Sequence, residues 1–296
     1  MPSRSAPPEP PSHPRDILAA HGLSPRKVFG QNFLAAPADL DRVAAVARLD
    51  PQEVVLEIGT GLGRLTQRLA AGARMVVSVE IDRGLHAVAA HRLAAAANVR
   101  LLCCDFLESK HRIRAEVTDA VHAAGGADGP LKVVSNLPYG ISSPAIVNLL
   151  EWEIPVAEMC LMLQKEVADR VVARPGTRAY GPLTVIVGHW AEAERLATFP
   201  RHAFWPPPEV SSTLLRIARR PAVARTPDYD VFAAAVARLF QTRRKSLAAA
   251  VRAAWDAHAA DRVTRAAGID TRRRAEELTV AELHAVARAL GPPERT

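Results

Sequence analysis

Cysteine is scarce in this chain. Its 296 residues contain three, the adjacent pair Cys103-Cys104 and Cys160. No CxxC spacing and no His/Cys cluster occurs, which argues against a zinc site, and no metal is expected. An odd, sparse count offers no disulfide framework and fits a reducing cytosol. Long apolar runs are also missing, and no stretch approaches the roughly 20 residues that a membrane-spanning helix requires. The first fifteen residues hold Pro2, Pro7, Pro8, Pro10, Pro11 and Pro14 but lack the apolar core of a signal peptide, so 1–15 is expected to be a disordered leader. No internal repeat is present. These absences lead to an expectation of a soluble, cytoplasmic protein without a membrane partner, and a monomer.

What is present points to a globular enzyme-sized chain. The length allows one large α/β domain and a smaller one, and 49% of the residues are apolar. The formal charge of +7 suggests a polyanionic partner, although basic proteins often bind none. From Val54 onward strand-like and helix-like segments alternate, the pattern of a parallel sheet flanked by helices. Strands are predicted at Val54–Ile58, Met75–Glu80, Val99–Cys104, Leu131–Ser135 and Met159–Leu163. Helices are predicted at Arg64–Ala70, Arg83–Ala97 and Glu108–Ala123. Leu183–Val187 reads as a strand by composition, with a helix equally open by periodicity. Leu214–Ile217 is expected to close the sheet. The loop from Pro221 to Pro227 marks a boundary, giving domains at 16–220 and 221–296. Beyond it the pattern is helical, over Val231–Phe240, Lys245–Ala257, Ala259–Gly268 and Val280–Leu290, with Thr279 and Glu282 spaced as a capping box. This second domain is itself basic, with thirteen Lys and Arg against nine Asp and Glu.

Three features carry chemistry. Gly59-Thr60-Gly61-Leu62-Gly63 joins the first strand to the first helix, where glycine permits a tight turn and lets a ligand approach the backbone. The spacing is GxGxG, and Arg64 stands where a dinucleotide fingerprint requires its third glycine. Alone, such a turn suits NAD, S-adenosylmethionine or no ligand. Glu80 and Asp105 then fall after the next two strands. An acid at Glu80 can accept both hydroxyls of a ribose, and one at Asp105 can accept an adenine amino group, although a single acid there is equally a helix cap. Together with the spacing they favour S-adenosylmethionine. The third feature is Asn136-Leu137-Pro138-Tyr139, placed at the carboxyl end of a buried strand. It offers an amide, a carbonyl fixed by the following proline and an aromatic face, enough to grip a planar heterocycle bearing an exocyclic amine. Read bare, it is also a strand-ending turn. Tetrapeptides of this kind resemble the active-site signature of methyltransferases that modify amino groups.

In the context of its neighbours the chain resembles the ribosomal RNA adenine dimethyltransferase family, from about Pro25 to about Leu290. The resemblance runs through Phe29–Leu34, Glu57–Gly61, Glu80–Asp82, Asn136–Tyr139, Met162–Val167, Arg174–Gly181, Phe204–Val210, Phe240–Lys245 and Gly268–Asp270. It implies a Rossmann-like methyltransferase fold with a mainly parallel seven-stranded sheet and a small C-terminal all-helical, RNA-binding domain. It further implies dimethylation, from S-adenosylmethionine, of N6 on two adjacent adenosines near the 3′ end of 16S rRNA in the small ribosomal subunit. By the same resemblance Asn32 and Leu34 contact the methionine and sulfonium side of the cofactor. Gly59 lines its carboxylate end, Glu80 its ribose and Asp105 its adenine. Asn136 lies between cofactor and target, with Leu137 contributing its carbonyl, while Tyr139 and Phe204 stack on the extracted base. Arg243, Arg244 and Lys245, and also Arg272–Arg274, are candidates for phosphate contacts, the first run being favoured because it lies inside a family motif. The chain departs from the family pattern at Gly140, usually Asn, and at Ser211, usually Asp. A resistance-type methylase of 23S rRNA and a catalytically weak assembly factor are the rival readings, and a Rossmann dehydrogenase fails on the glycine spacing.

Overall fold

A computed structural model describes residues 13–220 and 227–292. Its central feature is a seven-stranded sheet whose strands, in chain order, are β1 (Val54–Ile58), β2 (Met75–Glu80), β3 (Val99–Cys103), β4 (Leu131–Asn136), β5 (Val156–Gln164), β6 (Ala191–Phe199) and β7 (Ser212–Arg219). Across the sheet the order is β3-β2-β1-β4-β5-β7-β6. The first five of these run parallel, and β7 is antiparallel to both its neighbours. Every residue of β1 is buried, because helices cover both faces of a parallel sheet and leave no polar side.

Before the sheet lie α1 (Pro14–Ala20) and α2 (Pro37–Val46). The connecting helices are α3 (Arg64–Gly72), α4 (Arg83–Arg92), α5 (Ala115–Ala123), α6 (Ser142–Glu151), α7 (Lys165–Val171) and α8 (Pro182–Trp190). Residues 1–12 of the expected leader and the expected boundary loop at 221–226 lie outside the described residues. Pro14 and Arg15, assigned to that leader by sequence, begin α1 instead, with His13 capping it and Pro14 at its first turn. Ile17 and Leu18 of α1 pack with Leu62, Leu85 and Val88, so α1 straps the end of the glycine loop to α4.

Three sequence expectations are corrected, and one left open between strand and helix is settled. The stretch predicted as a helix from Glu108 opens as a hairpin, Leu107–Ser109 against Arg112–Ile113, and turns helical only at Ala115. The Asp105 carboxylate accepts from the Leu107 amide (3.1 Å), and Leu107 and Ile113 bury while the residues between them face solvent. Leu183–Val187 is helical within α8, started by Pro182 with the Thr184 hydroxyl accepting from the Gly181 amide (3.2 Å). The helix is buried on most sides between α6, α7 and the C-terminal helices, which erases the periodicity that would have identified it. β6 was not anticipated, because an edge strand reading Ala-Glu-Ala-Glu-Arg is rich in charge. β7 therefore lies inside the sheet, and β6 closes it. The predicted helix from Arg83 stops at Arg92 rather than Ala97.

The C-terminal helices are α9 (Pro227–Gln241), α10 (Leu247–Ala254), α11 (Ala259–Ala267) and α12 (Val280–Leu290). The capping box forms as expected: the Glu282 amide donates to the Thr279 hydroxyl (3.2 Å) and the Thr279 amide to the Glu282 carboxylate (2.8 Å). One core cluster runs continuously from the sheet through α8 into this bundle. At that junction His189 Nδ1 and His284 Nε2 lie 2.8 Å apart among Tyr229, Phe232 and Trp190. Burial lowers both imidazoles, His284 to about 4, so the pair packs neutral. Among the described residues no helix is long and apolar enough to cross a membrane.

Candidate active site

The carboxyl ends of β1, β2, β3 and β4 open onto one cavity, the position at which open α/β sheets bind ligands. Its floor is the loop after β1. Gly59, Gly61 and Gly63 all take positive φ (88°, 57° and 73°), which L side chains rarely adopt. At Gly59 the requirement is steric as well: a Cβ there would meet the Pro138 ring at 3.1 Å. The glycine loop and the tetrapeptide loop therefore abut, and one mutation at Gly59 disturbs both walls.

Carboxyl groups dominate the ionisable lining. Glu80, 5% exposed, accepts from the Gly61 amide (2.7 Å) and the Asp82 amide (2.9 Å), which leaves lone pairs on both oxygens facing the cavity wall. Burial raises its pKa. Asp105 is half-buried at the end of the same row. Beneath the loop Glu57 is fully buried and accepts from the Thr66 and Ser78 hydroxyls, both at 2.6 Å. Desolvation outweighs those bonds and pushes its carboxyl up to about 8, so it is neutral at pH 7 and serves as a structural anchor for the loop. Among the described residues the one guanidinium in the wall, Arg64, is committed elsewhere: it donates to the backbone carbonyls of Leu34 and Ala35. With the Glu80 and Asp105 carboxyls in its wall and no uncommitted cation among the described residues, the cavity disfavours a pyrophosphate and suits a ligand that is itself cationic. Leu34, Ile58, Leu65, Val79, Ile81 and Phe106 supply an apolar lining for a purine. Among the described residues no group of three potential metal ligands occurs.

The N-terminal segment forms the opposite wall. Phe33 and Leu34 pair antiparallel with Trp205 and Phe204 as a short ribbon, and Arg64 holds the Leu34 carbonyl from the other side. Gln31 and Arg26 both reach the Asp82 carboxylate (3.3 and 3.4 Å), which also caps α4 through the Gly84 and Leu85 amides. Asn32 donates to the Gly30 carbonyl (3.0 Å), and its own backbone carbonyl receives the Asn136 side-chain amide (3.0 Å). That last bond orients Asn136: its nitrogen is used, and its oxygen accepts no hydrogen bond from the described residues.

Asn136 is the final residue of β4, and the Leu137 amide donates to the Met162 carbonyl (3.2 Å) on the neighbouring strand. The Leu137 side chain is fully buried, so its functional atom is the backbone carbonyl, which accepts no hydrogen bond from the described residues. Two unused acceptors thus sit on consecutive residues at the cavity wall. Tyr139 follows in a single 3-10 turn, its phenol raised in pKa by burial and 2.9 Å from the Ser212 hydroxyl.

Of the residues singled out from sequence, Asn32, Leu34, Gly59, Glu80, Asp105, Asn136, Leu137 and Tyr139 line this one cavity. Phe204 does not. It is 2% exposed and packs in one cluster with Leu34, Leu40, Phe199 and Leu214, behind the Leu34 wall. Gly140 is exposed and a Cβ there would meet nothing within 4 Å, so the departure from Asn removes no packing. Sequence reasoning missed Glu57, Arg64 and Ser212. The first two flank the glycine loop directly, and that adjacency was the available signal.

Comparison with known proteins agrees with this geometry. The description "Ribosomal RNA adenine dimethylase" matches residues 22–291. Ribosomal RNA small subunit methyltransferase A of Pelotomaculum thermopropionicum is 41% identical over 283 residues, covering 92% of this chain and 94% of the relative. The protein of the same description from Geobacillus kaustophilus is 39% identical over 290 residues, covering 95% and 96%. Among solved structures, a dimethyladenosine transferase from Plasmodium falciparum shares the fold with a TM-score of 0.71 at 22% identity, covering 86% of this chain and 95% of that one. The 23S rRNA methyltransferase ErmE superposes with a TM-score of 0.64 at 25% identity, covering 88% and 99%. The chain belongs to the ribosomal RNA adenine dimethylase family.

Proposed function

We propose that this protein uses S-adenosylmethionine to dimethylate N6 of two adjacent adenosines near the 3′ end of 16S rRNA in the small ribosomal subunit. The observation that carries the reading is the pair of unused acceptors, Asn136 Oδ1 and the Leu137 carbonyl, beside a cavity suited to a cationic nucleoside. When bound, the cofactor supplies an electrophilic methyl on a sulfonium. Glu80 is placed to accept from its ribose hydroxyls, Asp105 from its adenine amine, and Asn32, Leu34 and Gly59 to line its methionine end.

The adenine N6 lone pair is delocalised into the ring and is a weak nucleophile. Accepting both N6–H bonds at Asn136 and Leu137 turns the lone pair out of the ring plane and toward the methyl. Tyr139 stacks on the extruded base and fixes its plane. No strong base is required, because the attacking nitrogen becomes acidic once alkylated and loses its proton to water. Catalysis is positioning, which supplies several kcal/mol. The helical domain adds phosphate contacts through Arg244 and Lys245. The protein acts as a soluble, cytoplasmic monomer without metal.

The test is labelled S-adenosylmethionine with small subunits lacking the modification. Wild-type protein forms N6,N6-dimethyladenosine, and Asn136→Ala loses on the order of 10²-fold in rate because the amine is no longer oriented. A wild type that methylates large subunits instead shifts the substrate to 23S rRNA, and one that methylates neither leaves an assembly role. Full activity in Asn136→Ala removes the mechanism and keeps the substrate.

A further inference from the structure

Tyr139 is held from outside its own loop. Its hydroxyl meets Ser212, which is fully buried as the first residue of β7 and is fixed by backbone pairing to Gln164 on one side and Phe199 on the other. The Ser212 hydroxyl makes no other side-chain hydrogen bond among the described residues. A buried hydroxyl left without a partner is costly, so each group enforces the position of the other. The loop itself gives Tyr139 little help beyond Pro138, since the next residue is the exposed Gly140 with open space around it. The tether thus joins the tetrapeptide to a rigid strand 73 residues away in sequence.

We propose that Ser212 is a positioning residue for the second methyl transfer, acting through Tyr139. The inference rests on the proposed stacking of Tyr139 against the target adenine. In each transfer the N6 lone pair forms the N–C bond, the C–S bond breaks with its electrons passing to sulfur, and an N6 proton leaves to water. An unmodified adenine offers two N6–H donors to the two acceptors at Asn136 and Leu137. After the first transfer only one N–H remains, so the base has lost half of its in-plane grip. The stacking face then carries a larger share of the alignment, and a ring free to shift misplaces N6 in the second round more than in the first.

The experiment compares Ser212→Ala, Tyr139→Phe, the double variant and Ser212→Thr in the full chain, acting on unmodified small subunits. Monomethyl and dimethyl adenine are quantified over time, alongside KM for S-adenosylmethionine and Tm. For Ser212→Ala and Tyr139→Phe the ratio of second to first transfer rate falls about three- to tenfold, the span set by one hydrogen bond. KM for the methyl donor stays unchanged, the double variant is no worse than either single one, and Ser212→Thr restores the ratio. Tyr139→Phe reads the same bond should the serine variant fold poorly. An unchanged ratio in the folded variants, or additive losses in the double, overturns the proposal. A wild type that yields no N6-methylated adenine overturns the parent reading instead.

Discussion

Two runs of three basic residues in the helical domain look interchangeable in sequence and differ in structure by where their charge goes. In Arg272–Arg274 every guanidinium has an intramolecular carboxylate: Arg272 pairs with Asp270 (2.8 Å), Arg273 with Glu282, and Arg274 more loosely with Glu276 (3.8 Å). In Arg243–Lys245 only the first residue is engaged, through Glu276 (3.6 Å) and the Arg178 carbonyl (3.5 Å). Arg244 and Lys245 are exposed and make no ion pair among the described residues. A charge run is available to a phosphate only where the fold leaves it unneutralised, which makes Arg244 and Lys245 the better candidates. The run Arg243–Lys245 keeps its charge outward because α9 ends there and the chain turns into α10.

The comparison is sharpened most by charge reversal of the open run. Arg244→Glu with Lys245→Glu weakens binding to small subunits by tenfold or more and flattens the slope of log affinity against log salt by about 1.5, the value for two lost phosphate contacts. An unchanged salt slope breaks the comparison. A smaller effect, and of a different kind, follows from Arg273→Ala. That side chain bridges to Glu282, which also builds the capping box of α12. Its loss costs about 1 kcal/mol of stability by thermal unfolding and leaves the salt slope untouched. The Arg273 guanidinium holds the Glu282 carboxyl down at about 2, so this contribution is complete above the unfolded-state value of 4.5 and disappears as pH falls toward 2. The stability difference between wild type and Arg273→Ala accordingly narrows on acidification. The smallest effect is Arg272→Ala, whose side chain is 90% exposed: neither Tm nor salt slope changes measurably.

The sequence was most legible where burial and punctuation coincide. Val54–Ile58 and Met75–Glu80 match β1 and β2 end for end, since each is an apolar run stopped by turn chemistry at Gly59 and Asp82. Legibility failed at the extremes of exposure. α8 is buried nearly all round and β6 is open at the sheet edge, so neither presents the half-apolar pattern from which periodicity is read. Around the cavity, residues on strand ends were visible because topology alone places them. The contacts that aim those residues were not. Arg64 reaches Leu34 across 30 positions and Tyr139 reaches Ser212 across 73, and nothing local to either residue encodes its partner. Phe204 carries no local signal of its surroundings either: an aromatic beside a proline-rich turn reads alike whether it faces a ligand or backs the wall behind one.

The ribbon of Phe33-Leu34 with Trp205 and Phe204 has a consequence for how the protein comes into being. One wall of the cavity is contributed by the first strand-like segment of the chain, yet its pairing partner arrives some 170 residues later. During synthesis the glycine loop, both acids and the tetrapeptide all emerge before Phe33 and Leu34 have their strand partner. A ribosome-bound nascent chain thus carries the cavity without this ribbon until Trp205 has cleared the exit, and the wall is completed by a pairing of high sequence separation, the kind of contact that forms slowly.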